Sequence, residues 1–318
     1  MQRPPEIVSI GHIVRETIIF PERVSEEVLG GPAAYSALAF ARLGGGAGLV
    51  SRIGPDMPAG LLTAFTAAGV DLAGLHVRAD ETTTWTRLIY DRRGNKRIEY
   101  AAKARPLTLE DIPAAYRSAG IFNICTMDHD VDPGEIARIA GLGRPVAVAL
   151  GGYGGAHSKL ARRAAGLPSE WEGLTPRLHL IKASEEDCWR IMADPDASDE
   201  AFGRRMLEWG ATIFVATRGA RGALVLTARE RFVIPPFEGP VVDSTGGGDA
   251  FWGAYLLAYL RTGDPEYAGH FGAATALLMI GKTGGAWAGR MPTREMVDEC
   301  MQRPAGAMVA AVKPGQTT

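Results

Sequence analysis

The sequence predicts an α/β fold, a mostly parallel central sheet with helices on both faces. Three observations carry this. Short β-branched runs alternate with longer stretches of helical period over most of the chain, two segments break that alternation, and residues 241–252 run from a strand through a glycine turn into an apolar helix.

Core strands are expected at residues 7–10, 48–53, 120–125, 146–150, 178–181, 212–216 and 223–226. Helices are expected at 33–43, 59–68, 133–140, 185–192 and 201–209, then at 250–261, 265–280 and 294–301. Residues 13–28 and 82–104, the latter with an Asp91-Arg92-Arg93-Gly94-Asn95 turn, alternate polar and apolar side chains and read as hairpins rather than crossover helices. They are expected to meet in a small second sheet, a lid over the strand ends where open α/β sheets bind ligands. Two surface hairpins that never meet are the alternative. Residues 304–318 are small and polar, and are expected to form a partly ordered tail.

Composition narrows the function. Lys plus Arg number 34 against 36 for Asp plus Glu, so the formal charge of -2 supplies no field that would gather nucleic acid or an anionic membrane. The three cysteines, Cys125, Cys188 and Cys300, are far apart and lack any Cys-x-x-Cys spacing, which argues against disulfides and zinc and fits a cytoplasmic location. Residues 1–6 do not read as a secretory leader, and the most apolar run, 273–280, falls well short of the roughly 20 residues that cross a bilayer.

The most informative stretch is Val241-Val242-Asp243-Ser244-Thr245-Gly246-Gly247-Gly248-Asp249-Ala250-Phe251. Three successive glycines let backbone N–H groups converge on an anion without Cβ obstruction, and the positive end of the following helix points at the same spot. An aspartate there would repel a bound phosphate, so it needs another purpose: a base that takes the proton of an acceptor hydroxyl while the amides stabilise charge on a transferring phosphoryl group. The plain alternative is a helix cap on a glycine turn. No Gly-x-x-x-x-Gly-Lys-Ser/Thr and no Gly-x-Gly-x-x-Gly after the first strand is present, which disfavours Walker-type hydrolysis and dehydrogenase chemistry.

At this loop the sequence closely resembles the ribokinase-like, or phosphofructokinase B, family of carbohydrate and nucleoside kinases, whose signature is Asp-Thr-x-Gly-Ala-Gly-Asp-x-Phe. Asp243, Thr245, Gly246, Gly248, Asp249 and Phe251 fall on that pattern, with Gly247 where alanine is usual. The resemblance implies a three-layer α/β/α fold with a small β-sheet lid, here a kinase domain over residues 1–303. It implies Asp249 as catalytic base, Gly246, Gly247 and Gly248 as anion hole, and Asp243 and Thr245 beside the nucleotide phosphates and a monovalent cation. ATP, Mg²⁺ and K⁺ are the implied cofactors, and a homodimer pairing through the lid is the implied assembly.

Other landmarks extend the likeness. Gly30-Gly31-Pro32-Ala33-Ala34-Tyr35 looks like the family's N-terminal signature, which makes Gly30, Gly31 and Tyr35 expected substrate contacts, Tyr35 standing where asparagine is common. Thr217-Arg218-Gly219-Ala220-Arg221-Gly222 resembles the turn beside the nucleotide, so Thr217, Gly219 and Gly222 are expected there. Lys282-Thr283-Gly284-Gly285-Ala286 resembles the turn lining the adenine and cation sites, which brings in Gly285.

Three departures matter. Lys182-Ala183-Ser184-Glu185-Glu186-Asp187 takes the place of an Asn-x-x-Glu motif that organises magnesium. Lys182 and Ser184 are expected near the nucleotide, and Asp187 near Mg²⁺ through water. Ser184 as N-cap with Asp187 three residues on is the structural alternative. Glu16 stands where an aspartate usually grips substrate hydroxyls, with His12 and Arg15 either lining that pocket or lying on the surface. Gly151-Gly152-Tyr153-Gly154-Gly155 replaces a common aspartate region and is expected to leave room for a bulky acceptor or a mobile loop. Arg92, Arg93, Lys96 and Arg97 could meet an acidic substrate or be solvated.

The expected activity is therefore transfer of the γ-phosphoryl group of ATP to a hydroxyl of a sugar or related polyol. A nucleoside or inositol kinase of the same family, and an inactive member acting as a small-ligand sensor, are the alternatives.

Overall fold

The computed structural model describes residues 3–92, 96–155, 170–192, 194 and 196–302. The chain opens with β1 (Ile7–Ile10), then β2 (Val14–Phe20), β3 (Arg23–Gly30), α1 (Pro32–Arg42), β4 (Ala47–Ile53), α2 (Ala59–Ala68) and β5 (Asp71–Val77). It continues through β6 (Trp85–Tyr90), β7 (Lys96–Ala102), β8 (Ile121–Cys125), α3 (Pro133–Ala140), β9 (Val146–Ala149) and α4 (Glu170–Leu174). Next come β10 (Leu180–Ser184), α5 (Glu185–Met192), α6 (Asp199–Glu208), β11 (Ile213–Thr217), β12 (Ala223–Thr227) and β13 (Arg231–Ile234). Three helices close the described chain, α7 (Gly247–Thr262), α8 (Pro265–Ile280) and α9 (Arg294–Met301).

Nine strands form the main sheet in the order β13-β12-β11-β10-β9-β8-β1-β4-β5. Pairing is parallel from β11 to β5 and antiparallel only for β12 and β13. Alternation along each strand feeds two cores. Ile213 and Val215 of β11 pack with α1, α7 and α8 on one face, while Phe214 and Ala216 pack with α5 and α6 on the other. The chain enters at β1 and builds outward on both sides, so the order reverses beside β1, where a doubly wound sheet opens a crevice at its strand ends.

The two hairpins meet. β3-β2-β6-β7 form a four-stranded sheet in which β2 and β6 run parallel and each hairpin is antiparallel internally. Residues 93–95 of the expected turn and the expected tail at 304–318 lie outside the described residues.

Some elements differ from expectation. β5 was not anticipated, because its glycine and its half-exposed polar residues hide a strand that pairs with β4 on one side only. The edge strand β13 was missed for the same reason. β10 begins two residues later than expected and runs on to Ser184, since Leu178 closes the turn Thr175–Arg177. The short helix α4 carries too few residues to show a period.

One polar cluster pins the layers and has no sequence signal. Asn123, fully buried in β8, donates through Nδ2 to Ser36 Oγ of α1 at 2.8 Å and to Ser9 Oγ of β1 at 3.3 Å, and accepts from Trp252 Nε1 of α7 at 2.9 Å. Removing it strands an indole N–H in a dry core. Asn123→Ala is expected to lower stability by about 3 kcal/mol, read as a shifted urea midpoint with unchanged slope.

Candidate active site

The glycine loop joins the sheet to α7 without a side-chain cap. Val242 N–H and Asp243 N–H both donate to Ile280 O, at 2.8 and 3.0 Å, which moors the loop to the end of α8. Asp243 then accepts from Thr245 N–H at 3.0 Å, turning the chain toward Gly246. Gly246 is the N-cap, at φ 77°, in the left-handed region that glycine enters without strain. A Cβ there would also run into the Tyr35 ring. Gly247 N–H donates to Ser244 O and Asp249 N–H to Gly246 O, whereas the Gly246 and Gly248 N–H groups have no protein acceptor among the described residues. Two unpaired donors at a helix start, with the dipole behind them, make an anion seat.

Asp249 is therefore inside the first turn and is not the cap. Its side chain is 14% exposed and faces the cavity, and Lys182 Nζ from the middle of β10 lies 3.7 Å from Oδ1. Burial pushes the Asp249 carboxyl above the ordinary carboxylate range; Lys182 and Lys96 pull it down and Asp187 adds to the rise. A carboxylate held above its solution value is a stronger base than a free one.

The cavity, about 870 Å³, runs from this helix start to the small sheet. Across it stands Glu16 of β2. Glu16 Oε1 accepts from Thr86 Oγ1 at 3.1 Å, but Oε2 is buried without a partner, as is the hydroxyl of neighbouring Tyr35. Burial raises the Glu16 carboxyl to about 7, with the Thr86 hydrogen bond and Lys96 opposing and Asp243 and Asp249 adding. Unsatisfied buried oxygens facing a cavity are sites for ligand hydroxyls, which can donate to one and pair with the other.

The small sheet closes on the loop as well as on the cavity. Tyr90 OH lies 3.0 Å from Thr245 Oγ1, its ring stacks on Phe20 at 4.7 Å, and Arg23 donates to Val242 O at 2.8 Å.

Ser184 and Asp187 form a reciprocal cap. Ser184 N–H donates to Asp187 Oδ2 at 2.6 Å and Asp187 N–H to Ser184 Oγ at 3.0 Å, starting α5 as a capping box. Both residues also line the cavity, so the cap leaves Asp187 beside it. Of the glycines at 151–155, Gly151 lines the cavity, while side chains at Gly152 and Gly155 would meet Thr126 and Asp187.

Most of the expected site comes together. Glu16, Gly31 and Tyr35 line one end, and Lys182, Ser184, Asp187, Thr217, Gly219 and Gly222 line the other, with Thr245, Gly246, Gly247, Gly248 and Asp249 between them. Three expected residues stand behind the wall. Gly30 lies under the Glu16 carboxyl, where a Cβ would be 2.5 Å from Oε2. Gly285 packs on Val28 and Leu29, and Asp243 is buried among donors from Thr245, Gly284 and Arg290. His12 and Arg15 are neither pocket nor open surface. His12 is fully buried, with Nε2 donating to Arg105 O at 3.0 Å, and Arg15 pairs with Glu27 and Asp56.

Sequence reasoning left out Leu88, Tyr90 and Ile98 of the small sheet, Met127, the Pro236–Gly239 loop and Arg290, and named Lys96 only as one of four lid cations. Only Lys96 carried a signal, as one of four cations in the expected lid; period-2 alternation puts Lys96 and Ile98 on one face and Arg97 on the other, where it pairs with Glu99.

The chain matches the pfkB family of carbohydrate kinases over residues 5–136 and 167–292. A cytidine kinase of Thermococcus kodakarensis is 29% identical over 283 residues, covering 88% of this chain and 97% of the relative. A nucleoside kinase of Methanothermobacter thermautotrophicus is 26% identical over 296 residues, covering 88% and 91%. Among solved structures, Arabidopsis thaliana ribokinase complexed with ribose and ATP superposes with a TM-score of 0.76 at 20% identity, over 95% of this chain and 100% of that one, a likeness of fold alone.

Proposed function

The chain belongs to the pfkB family and is a sugar or nucleoside kinase, and from that premise we propose that it moves the γ-phosphoryl group of ATP to a hydroxyl of a nucleoside, with Asp249 as the base. One observation carries this: the Asp249 carboxylate and the unpaired Gly246 and Gly248 amides open onto a cavity that has a second carboxylate, Glu16, at its other end.

The acceptor oxygen attacks the γ-phosphorus as its proton passes to Asp249, the bond to the bridging oxygen breaks, and ADP leaves with that electron pair. Gly246 and Gly248 N–H groups stabilise the charge on the phosphoryl oxygens, and Lys182 favours the ionised form of Asp249 against its burial. Glu16 Oε2 and the Tyr35 hydroxyl take neighbouring hydroxyls of the acceptor, which sets the reacting one against Asp249. Thr217, Gly219 and Gly222 flank the nucleotide, and Ala276, Leu277 and Ile280 of α8 offer the apolar surface that an adenine ring needs.

A nucleoside is favoured over a bare sugar because the acceptor end has an apolar wall. Leu88, Ile98 and Met127 suit the face of a base and give nothing to a compound that is polar all round. The relatives named as cytidine and nucleoside kinases point the same way. A sugar or a cyclitol such as inositol is the second reading, since Glu16 needs only hydroxyls. ADP release measured over a panel of nucleosides, sugars and inositol tests the proposal. Nucleosides turning over at least about tenfold better in kcat/KM supports it, and a preference for a free sugar or inositol by that margin overturns the nucleoside assignment.

Magnesium fits the donor set. Asp187 and Glu186 line the nucleotide end, and Mg²⁺ bound to phosphates needs only one or two carboxylates, through water. When bound, the ion neutralises charge on the β- and γ-phosphates. Asp187→Asn keeps an acceptor for Ser184 N–H but removes the charge. The Mg²⁺ concentration giving half-maximal rate is expected to rise about tenfold, with the melting temperature moving by less than about 2 °C; an unchanged Mg²⁺ requirement would leave Asp187 as a cap only.

The proposal extends to a homodimer pairing through the small sheet, which sedimentation at micromolar concentration tests by mass. No helix among the described residues is long and apolar enough to cross a membrane.

A further inference from the structure

The family resemblance puts a monovalent cation beside Asp243 and the 282–286 turn. In this chain a side chain already brings a positive charge to that place. Arg290 is fully buried, among the largest side chains that are. Its Nε donates to Lys282 O at 3.1 Å, Nη1 to Gly285 O at 3.0 Å and Nη2 to Asp243 O at 2.6 Å, and Nη2 lies 3.6 Å from Asp243 Oδ1. Three main-chain carbonyls and one carboxylate converging on a unit charge are the oxygen set that an alkali ion would use.

Each of those oxygens is aimed at a charged donor that is part of the chain and cannot leave. A second cation sharing the set would sit against the guanidinium in a site without solvent to screen it. The charge is matched locally: Asp243 also accepts from Thr245 N–H and Gly284 N–H, so the acid is fully surrounded and the arginine is not an unpaired buried ion.

Arg290 also ties together the two loops that hold the catalytic end. Its carbonyl partners lie on the 282–285 turn and at Asp243, three residues before Gly246, and its guanidinium lies 5.9 Å from the centre of the Tyr35 ring, which packs on Gly246. We infer that Arg290 takes the structural role of the monovalent cation, so that this protein is indifferent to K⁺ and Arg290 is a positioning residue for the anion seat.

The test compares the full-length wild type and Arg290→Ala in KCl and in choline chloride at equal ionic strength, by ATP binding in calorimetry, by melting temperature and, with the acceptor found in the panel, by rate. Wild-type values should agree between the two salts within about twofold. Arg290→Ala should lose at least about tenfold in ATP affinity or rate in choline and regain part of it with K⁺, NH₄⁺ or guanidinium. Wild-type binding or rate that falls more than about fivefold without K⁺ would overturn the inference, whether or not the variant folds. So would an Arg290→Ala protein that binds and melts like the wild type and ignores every cation. The rate arm rests on the kinase reading, while the binding and melting arms do not. Failure of every acceptor would count against that reading and leave the cation result standing.

Discussion

Asp249→Asn is expected to lower turnover about a thousandfold or more while ATP affinity stays within about threefold of wild type. The amide keeps the shape and loses the base. The carboxylate sits in the first turn of α7, lines the cavity and has Lys182 Nζ 3.7 Å away. On the proposed mechanism nucleotide binding survives, because the phosphates would be held by the Gly246 and Gly248 amides, and removing a negative charge from beside them would cost no affinity. The wild-type rate should also fall on acidification at a pH above the ordinary carboxylate range, since burial raises the Asp249 carboxyl. A variant with near-normal turnover would remove Asp249 from the chemistry. Isothermal calorimetry alongside initial rates separates the two effects.

The second large effect belongs to Glu16. A ligand hydroxyl donates to the carboxylate form, yet burial raises Glu16 to about 7. The acceptor KM of the wild type is therefore expected to rise as pH falls below about 7, approaching tenfold per unit, whereas Glu16→Gln should have a KM that is flat with pH and about thirtyfold higher at pH 8. Stability moves in the opposite sense. The folded state binds this proton more tightly than the unfolded chain, whose value is near 4.5, so the contribution is fully present below 4.5 and is lost as pH rises to about 7. Up to about 3 kcal/mol is at stake in the ligand-free protein, so Glu16→Gln should narrow the fall in melting temperature between pH 5 and pH 8. A KM that is equally pH-dependent in both proteins would mean that Glu16 does not hold the acceptor.

What the sequence made legible follows from where its physics is local. The glycine turn and helix start at 246–252 declare their own geometry, because three glycines and a helix start constrain the backbone, whereas the strand expected just before them is irregular chain, its Val242 and Asp243 N–H groups spent on Ile280 O rather than on a neighbouring strand. α2, α3, α5, α8 and α9 fall where their period puts them. β5 and β13 escaped because a strand paired at a sheet margin needs no continuous apolar run. The meeting of the two hairpins was readable as shared character, while their parallel β2–β6 seam was not, since register between distant segments is settled by packing. Lys96 was visible only as one charge among four; its inward place depends on the pleat. Arg290, an ordinary surface residue by type, became the buried partner of three carbonyls through a fold that brings residues 243, 282 and 285 together.

Nucleotide and acceptor are held to meet across Asp249 in one cavity, with the phosphoryl group passing directly between them. The stereochemistry at phosphorus tests this most directly, using ATP made chiral at the γ-position with oxygen isotopes and the best acceptor of the panel. A single in-line transfer predicts inverted configuration in the phosphorylated product. Retention would reveal two successive transfers through a phosphorylated protein side chain and would contradict the account.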